Sequence, residues 1–303
     1  MMFRSTFADD LARYGPQAVA TCSLTREEAF IYCQNLAQSH YENFAVASFL
    51  LPRHLRPHFH AIYSYCRWAD DLADEVPSTT QSMELMQWWE EQLHACYLGS
   101  AQHPVFIAMS ETVQQFDIPK HPFLDLLSAF RQDQSTTHYR TFDELRDYCC
   151  RSANPVGQLV LYLGRCASLE NILLADYVCT GLQLANFWQD VGNDFRRGRV
   201  YLPQEDRTRF GYTEEDLQGE CCNEAFVQLM EFEVDRAEQF FQQGRPLIRR
   251  LPKFLRLDVS LFIEGGLAIL QKLRDCNYQV WGPRPRLSKW EKMRLVPRAY
   301  WHT

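Results

Sequence analysis

Aspartate side chains recur at helical spacing in two apolar segments of the chain. They are Asp70, Asp71 and Asp74 in the segment ADDLADE, and Asp190 and Asp194 in the segment WQDVGND. Residues three and four positions apart share one face of a helix, so each segment would present its carboxylates together. Crowded carboxylates need a cation or a proton, and their oxygens suit magnesium, which leaves coordination positions open for phosphate oxygens. The spacing therefore predicts two magnesium-binding faces, with two solvated helix faces as the alternative.

Further polar side chains extend each of these faces. Tyr63 and Arg67 precede the first cluster at steps of three or four residues, within FHAIYSYCRWADDLADE. Gln183 and Asn186 precede the second cluster at the same spacing, within GLQLANFWQDVGND, where most other positions are apolar. Both stripes of polar side chains therefore run along helices that are otherwise apolar, as expected of a built binding site.

Basic side chains follow the second cluster and gather again near the carboxyl terminus. In DFRRGRVYLP, Arg196, Arg197 and Arg199 offer guanidinium groups that can hold phosphate oxygens or complement the negative end of a helix. The segment RPRLSKWEKMRLVPRAYW predicts contact with phosphate or with an anionic bilayer surface, and a solvated basic face is the alternative. Its basic and large apolar residues include Arg284, Arg286, Lys289, Trp290, Lys292, Arg294, Leu295 and Trp301.

Other metal-binding patterns are weaker. His54, His58 and His60 resemble a ligand cluster, but Pro57 disturbs the helical register between them. The eleven cysteines contain no C-x-x-C pair, so a zinc site is not predicted. Their odd number, and an amino terminus without an apolar signal core, indicate reduced core residues of a cytoplasmic protein.

The composition and net charge limit the classes of protein to which this chain can belong. The chain has 303 residues, its hydrophobic fraction is 46%, and neither a flexible linker nor a low-complexity tract interrupts it. One domain over residues 1–303, with its core at about 25–295, is therefore predicted. The net charge of −7 argues against a nucleic-acid partner, and the longest uncharged stretches are too short to span a bilayer.

Strand signals are nearly absent and helical periodicity recurs throughout, so the sequence predicts an all-α bundle. Pro155 falls inside one helical stretch and predicts a bend there, with a loop between two helices as the alternative. The predicted helices lie near residues 26–38, 55–75, 81–98, 104–116, 122–133, 142–163, 170–195, 223–243, 255–276 and 287–295.

Because it has both acidic faces, the chain resembles the squalene and phytoene synthase family. Members of this family are helical enzymes that join or rearrange prenyl diphosphates. The resemblance runs from about His40 to Trp290 and includes the extended motif QLANFWQDVGNDFRRGRVYLP. It implies a single-domain class I isoprenoid synthase-like bundle, with the two acidic faces opposed across a central apolar cavity. It also implies several magnesium ions as cofactors and a prenyl diphosphate as the substrate.

The resemblance implies roles for individual residues as well. The metal ligands would be Asp70, Asp71, Asp74, Asn186, Asp190 and Asp194. The catalytic side chains would be Tyr63, Arg67, Tyr148, Gln183 and Tyr201. The substrate and its diphosphate would be bound by Asn43, Phe44, Arg67, Gln183, Asn186, Arg196, Arg199, Arg286 and Lys289.

A departure from the common family pattern favours one branch of the family. Condensing members carry a serine-rich, phosphate-contacting stretch where this chain reads HYENFAVASFLLPRHLRPH from His40 onward. This segment and a second one, SANPVGQLVLYLG from Ser152 to Gly164, resemble the sequences of the bacterial branch associated with hopanoid synthesis. The resemblance thus implies conversion of presqualene diphosphate and water to hydroxysqualene and diphosphate.

Three alternatives stay open at this point. They are condensation of two farnesyl diphosphates to presqualene diphosphate, squalene or dehydrosqualene, a noncatalytic lipid-binding helical protein, and a di-iron bundle using Glu91 and His94. No Gly-rich dinucleotide fingerprint occurs, and no nicotinamide cofactor is expected. Substrates this apolar predict peripheral contact with the inner membrane face and handover of the product to a downstream squalene-forming enzyme.

Overall fold

The computed structural model describes residues 6–18, 24–39 and 51–301, and almost all regular structure in these residues is helical. Within these ranges, β structure is limited to an isolated parallel bridge between His138 and Val200. The all-α prediction is therefore confirmed. No helix in the described ranges is long and apolar enough to cross a membrane. In chain order the helices are α1 (Phe7–Tyr14), α2 (Arg26–Ser39), α3 (Arg56–Asp74), α4 (Thr79–Tyr97), α5 (Pro104–Gln115), α6 (His121–Asp133), α7 (Phe142–Ser152), α8 (Asn154–Leu163), α9 (Leu169–Arg196), α10 (Gln204–Arg209), α11 (Glu214–Gln218), α12 (Glu224–Gly244), α13 (Leu247–Arg250), α14 (Lys253–Asp275) and α15 (Lys289–Trp301).

Predicted and observed helix ends agree within about two residues, with two exceptions. The first exception is α15, which continues past Pro297 to Trp301. Its last turn is held because Ala299 is buried and its carbonyl oxygen accepts from the Ser260 hydroxyl at 3.0 Å. The short helices α1, α10, α11 and α13 are not among the predicted ones.

The second exception is the stretch around Pro155. The single helix predicted over 142–163 is two helices, α7 and α8, which are separated at Ala153. Proline lacks an N–H group and cannot continue an α-helical ladder, but it is favourable in a first helical turn, where it stands in α8. The Thr180 hydroxyl of α9 donates to the Asn154 side-chain oxygen at 2.9 Å, which fixes the start of α8 against the next helix.

The described residues fall into two compact units, one within Met1–Ser135 and the other within Thr136–Thr303. Each unit is built around one helix that contacts most of its neighbours, α3 in the first unit and α9 in the second. Those two helices carry the two aspartate clusters. The prediction of a single domain over the whole chain stays a prediction.

Helix α3 is the centre of the amino-terminal unit, where it packs against α2, α4, α5 and α6. The side chains of Tyr65 and Trp68 are fully buried among these neighbours. The Tyr65 hydroxyl donates to the Phe123 carbonyl oxygen at 2.8 Å, and the Ser64 hydroxyl donates to the Cys33 carbonyl oxygen at 3.3 Å. Because the apolar face of α3 is buried and anchored, the rotation of its polar stripe is fixed.

Helix α9 is the centre of the carboxyl-terminal unit, where it packs against α7, α8, α12, α13 and α14. Trp188 of α9 is fully buried, and its indole N–H donates to the Glu233 carbonyl oxygen at 3.1 Å. Leu184 is fully buried on the same helix. These contacts fix the rotation of α9 and therefore the direction of its own polar stripe.

The connecting segment, residues 276–288, joins α14 to α15 without regular helix and lies along the carboxyl-terminal part of α9. Gly192 makes this approach possible. A Cβ atom added to Gly192 would lie 2.7 Å from the Val280 carbonyl oxygen and 3.0 Å from the Trp281 Cα. Both are backbone atoms that cannot rotate away, so any larger side chain at Gly192 would push the connecting segment off the helix.

We expect Gly192→Ala to lower the free energy of unfolding by about 1–3 kcal/mol, because overpacking against backbone outweighs the better helix propensity of alanine. The matched control is Gly265→Ala in α14, where an added Cβ meets no atom within 4 Å. That variant should be stabilised by up to about 1 kcal/mol. Urea denaturation of both variants measures the difference, and equal stabilisation of the two would contradict the close approach.

Candidate active site

The acidic face of α3 lies in its last two turns and is organised by Arg67. The Arg67 guanidinium pairs with both carboxylate oxygens of Asp71, with Nε donating to Oδ2 at 3.0 Å, and Nη1 donates to Asp70 Oδ2 at 3.3 Å. Asp71 is buried, Asp70 is half-exposed and Asp74 is exposed. The three predicted metal ligands of this face therefore stand in two environments, with Asp71 turned toward arginine and Asp70 and Asp74 accessible.

Burial controls the protonation of this face. It raises the pKa of the Asp71 carboxyl to about 7, although the Arg67 guanidinium opposes the shift. Tyr63 stands one helical turn before Arg67 and is half-buried, and burial raises the pKa of its phenol. The geometry makes Asp71 a positioning residue for Arg67, since a bidentate pair fixes the plane of the guanidinium.

The acidic face of α9 binds an arginine that comes from the connecting segment. Arg284 Nη2 donates to the Asn186 side-chain oxygen at 2.9 Å and also to Asp190 Oδ2. The other Asp190 oxygen accepts from the Asn193 side-chain amide at 3.0 Å. A guanidinium cation therefore lies between two of the predicted metal ligands on this helix.

Asp194 completes the α9 face and is shielded from water. Burial raises the pKa of its carboxyl to about 6, and the neighbouring Asp190 carboxylate adds to the effect. The positive charges of Arg197, Arg199 and Arg284 oppose it. Asp194 thus shares its surroundings with one carboxylate and three guanidinium groups.

The basic residues predicted to bind phosphate have different surroundings. Arg286 and Lys289 are exposed, whereas Arg284 reaches the acidic face. Arg196 donates to the Trp281 carbonyl oxygen and pairs with Glu220 at 3.3 Å, so it holds the connecting segment in place. The sequence offered no signal that would select Arg284 from its basic neighbours, because its partners are more than ninety residues earlier in the chain.

An aromatic cluster adjoins the α9 face. The rings of Phe187 and Tyr201 stack with centroids 3.8 Å apart, and the Tyr148 ring lies 6.3 Å from Phe187 and 6.2 Å from Tyr201. Tyr139 stacks on Tyr201 at 5.8 Å. The cluster brings together the predicted catalytic tyrosines Tyr148 and Tyr201, and its Phe187 directly follows Asn186 on α9.

A tight turn after α9 carries Tyr201 to this cluster. Gly198 has a φ of 80°, a left-handed conformation that glycine adopts without steric cost. Beyond the turn, the Val200 N–H donates to the Thr137 carbonyl oxygen at 2.7 Å. Gln183, the remaining predicted catalytic residue, is half-buried one turn before Phe187, on the same side of α9.

Among the described residues, His58 and Trp188 belong to neither acidic face. Asn43 and Phe44 lie outside the described residues. His58 is buried, with its ring nitrogen Nδ1 3.0 Å from the Thr112 hydroxyl. Trp188, an aromatic side chain next to Phe187, belongs to the packed core of α9.

Comparisons with known proteins agree on the family. The sequence model of squalene/phytoene synthase matches residues 37–291. Phytoene synthase from Arthrospira platensis is 31% identical over 288 residues, which cover 91% of this chain and 93% of that protein.

Solved structures give the same result. The crystal structure of squalene synthase HpnC from Alicyclobacillus acidocaldarius shares 40% sequence identity and a TM-score of 0.81, covering 84% of this chain and 97% of that one. A dehydrosqualene synthase in complex with a ligand shares 25% identity and a TM-score of 0.81, covering 91% and 97%. The chain therefore belongs to the squalene/phytoene synthase family, isoprenoid synthases that act on prenyl diphosphates.

Proposed function

We propose that this chain converts presqualene diphosphate and water to hydroxysqualene and diphosphate in a magnesium-dependent reaction. The observation that carries the proposal is the cluster of Tyr148, Phe187 and Tyr201 beside the acidic face of α9. It combines aromatic faces, which stabilise a carbocation, with phenol groups, which can orient a water molecule. Similarity to the squalene synthase HpnC and the resemblance of the sequence to the hopanoid branch support the proposal.

The two acidic faces have the donor chemistry that magnesium requires. Asp70 and Asp74 on α3, and Asn186, Asp190 and Asp194 on α9, offer only oxygen ligands. In residues 6–18, 24–39 and 51–301, no three His, Cys, Asp or Glu side chains form a group able to hold a metal alone. On this proposal, oxygens of the substrate diphosphate and water would fill the remaining coordination positions, as is usual for magnesium.

The position of Arg284 also supports a cation site on α9. Its guanidinium lies on Asn186 and Asp190, which shows that this face takes up a positive charge. Bound magnesium would neutralise the negative charge that develops on the diphosphate as it leaves. Arg284 would then be released toward phosphate oxygens, which a guanidinium binds well.

Arg67 has the corresponding role on α3. Because Asp71 fixes the guanidinium plane, Arg67 is oriented before the substrate binds, and it loses little conformational entropy when it meets a phosphate oxygen. The carbon–oxygen bond of the substrate then breaks, and its electron pair leaves with the diphosphate. The protein supplies no covalent nucleophile in this step.

The aromatic cluster acts on the remaining carbocation. The π electrons of this stacked cluster stabilise positive charge while the cyclopropylcarbinyl cation rearranges. A water molecule held by the Tyr148 or Tyr201 hydroxyl, or by Gln183, then adds its oxygen to the cation and loses a proton to the released diphosphate. The product is an apolar alcohol, which we infer is handed to a squalene-forming enzyme.

Condensation of two farnesyl diphosphates is the second candidate function. The similarity to phytoene synthase and to the dehydrosqualene synthase structure favours it, since both names denote products of condensation. The two candidates share the acidic faces and differ in substrate and in the use of water. A noncatalytic lipid-binding protein, the third candidate, would need neither face.

Product analysis separates the first two candidates. Purified protein, magnesium and presqualene diphosphate in water labelled with oxygen-18 should give hydroxysqualene that carries the label, because water captures the cation. A parallel reaction with farnesyl diphosphate is the control, with mass spectrometry as the readout. Turnover of farnesyl diphosphate but not of presqualene diphosphate would defeat the proposal in favour of condensation.

Removal of one carboxylate from either face tests whether the faces are catalytic. Asp70→Asn and Asp190→Asn should each lower kcat/KM about 100-fold or more, because charge stabilisation of the leaving group is lost. Asp275→Asn is the matched control, as this exposed carboxylate also stands near the carboxyl-terminal end of a helix. Full activity in both site variants would show that the two acidic faces are not the catalytic site, whereas a parent protein that turns over neither diphosphate would favour the noncatalytic candidate.

Thermal denaturation tests the cation site on α9 without an activity assay. Arg284→Gln should lower the Tm of the metal-free protein by roughly 2–6 °C, because Asp190 loses the cation that balances it. Added magnesium should raise the Tm of this variant more than that of the parent protein. Arg286→Gln, two residues away and exposed, should change neither value. The same magnesium response in all three proteins would show that Arg284 does not lie at a metal site.

A further inference from the structure

Helix α15 has an exposed apolar face. Trp290, Met293, Val296, Tyr300 and Trp301 are all exposed, Trp290 by 74% and Trp301 by 88%. With about 100° between successive residues, these side chains fall within an arc of about 140°, which also contains Lys289 and Pro297. A surface helix normally buries an apolar arc of this width against its own core.

The opposite face of α15 is docked, so the exposure of the apolar arc is not the result of a loose helix. Leu295 and Ala299 are buried, and the Ser260 hydroxyl of α14 holds the Ala299 carbonyl oxygen. Lys272 of α14 pairs with Glu291 at 2.9 Å. These contacts fix the rotation of α15 about its axis and direct the apolar arc to the surface.

Basic side chains border the apolar arc on both sides. Arg294 and Arg298 follow one border of the arc and Lys292 the other, and all three are exposed. From Arg284 to Trp301 the chain has six basic residues and one acidic residue, although its net charge is −7. The surface that surrounds the arc is therefore suited to an anionic partner.

We propose that α15 lies flat on an anionic lipid bilayer. Its tryptophan, tyrosine, methionine and valine side chains enter the boundary between headgroups and acyl chains, and its basic side chains contact lipid phosphates. Tryptophan near the start of α15, and tyrosine and tryptophan at its end, are typical of residues that favour this boundary. The proposal does not depend on which prenyl diphosphate the chain uses.

A second copy of the chain is a poorer occupant of this face. In a twofold dimer the same surface meets itself, so the basic borders of one arc would lie against those of the other. Juxtaposed like charges oppose association. An anionic bilayer satisfies the apolar arc and its basic borders together.

Sedimentation with lipid vesicles tests the proposal. The full-length protein should bind vesicles that contain about one third phosphatidylglycerol, and bind pure phosphatidylcholine vesicles far more weakly, because the basic borders need anionic lipid. Trp290→Glu with Met293→Glu should lower binding at least ~10-fold, since two apolar anchors become charged. Lys292→Gln, Arg294→Gln and Arg298→Gln should each lower it roughly fivefold.

Matched controls make the outcome decisive. Leu98→Glu with Leu169→Glu adds the same charge at two leucines that are 83% and 88% exposed elsewhere, and this variant should bind vesicles as the parent does. Circular dichroism should show unchanged folding in every variant, as all the altered side chains are exposed.

Failure of the parent to bind anionic vesicles at low salt, or equal binding by the Trp290 and Met293 variant, would overturn the proposal. A dimer seen by light scattering and broken by that variant, with vesicle binding unaffected, would assign the face to a second copy.

Discussion

Negative charge at the carboxyl-terminal ends of two central helices is the constraint on which the rest of the structure depends. The dipole of a helix already places partial negative charge at that end, and α3 and α9 each add carboxylates there. Burial raises the pKa of Asp71 to about 7 and that of Asp194 to about 6, so ionised carboxylates are costly at both positions. Each cluster is stable with a proton or a cation close by, and the protein provides arginine to both. A divalent ion that arrives with a diphosphate can supply the positive charge that such a site needs.

The arginine on each acidic face comes from a different part of the chain, so the two faces are assembled differently. Arg67 comes from the same helix as Asp70 and Asp71, so the α3 face is assembled as soon as that helix forms. Arg284 comes from the connecting segment, so the α9 face depends on the close approach at Gly192 and on the bond from Arg196 to the Trp281 carbonyl oxygen. The arginine on α9 is therefore held in place by tertiary contacts, whereas the arginine on α3 is held within its own helix.

Sequence periodicity predicted the parts of the site that are local. The helices that carry Arg67 and Asp190, and the order of polar residues along them, follow from spacing, because helix geometry couples only near neighbours. Arg284 could not be singled out from Arg286 in the same way, since its position is set by packing between distant segments. Nor does spacing show that Asp71 is buried while Asp74 is exposed, because that depends on which neighbours cover α3. The break at Ala153 was one of two outcomes that Pro155 allowed, and the contact from Thr180 to Asn154 shows how the next helix accommodates it.

The connecting segment also relates the α9 face to the proposed membrane helix. Arg284 lies on Asp190, and only four residues separate it from Lys289, the first residue of α15. An extended chain spans at most ~3.6 Å per residue, so the backbone of Arg284 and the start of α15 are within about 18 Å of each other. A substrate with a charged head and a long apolar tail is most stable at a bilayer surface, where its diphosphate stays in water and its tail in lipid. A helix docked there would hold the α9 face near the headgroups, which shortens the distance over which an apolar tail must leave the lipid. On this argument, loss of membrane binding should raise KM for a vesicle-borne substrate and leave kcat unchanged, since the exposed apolar side chains of α15 belong to neither acidic face.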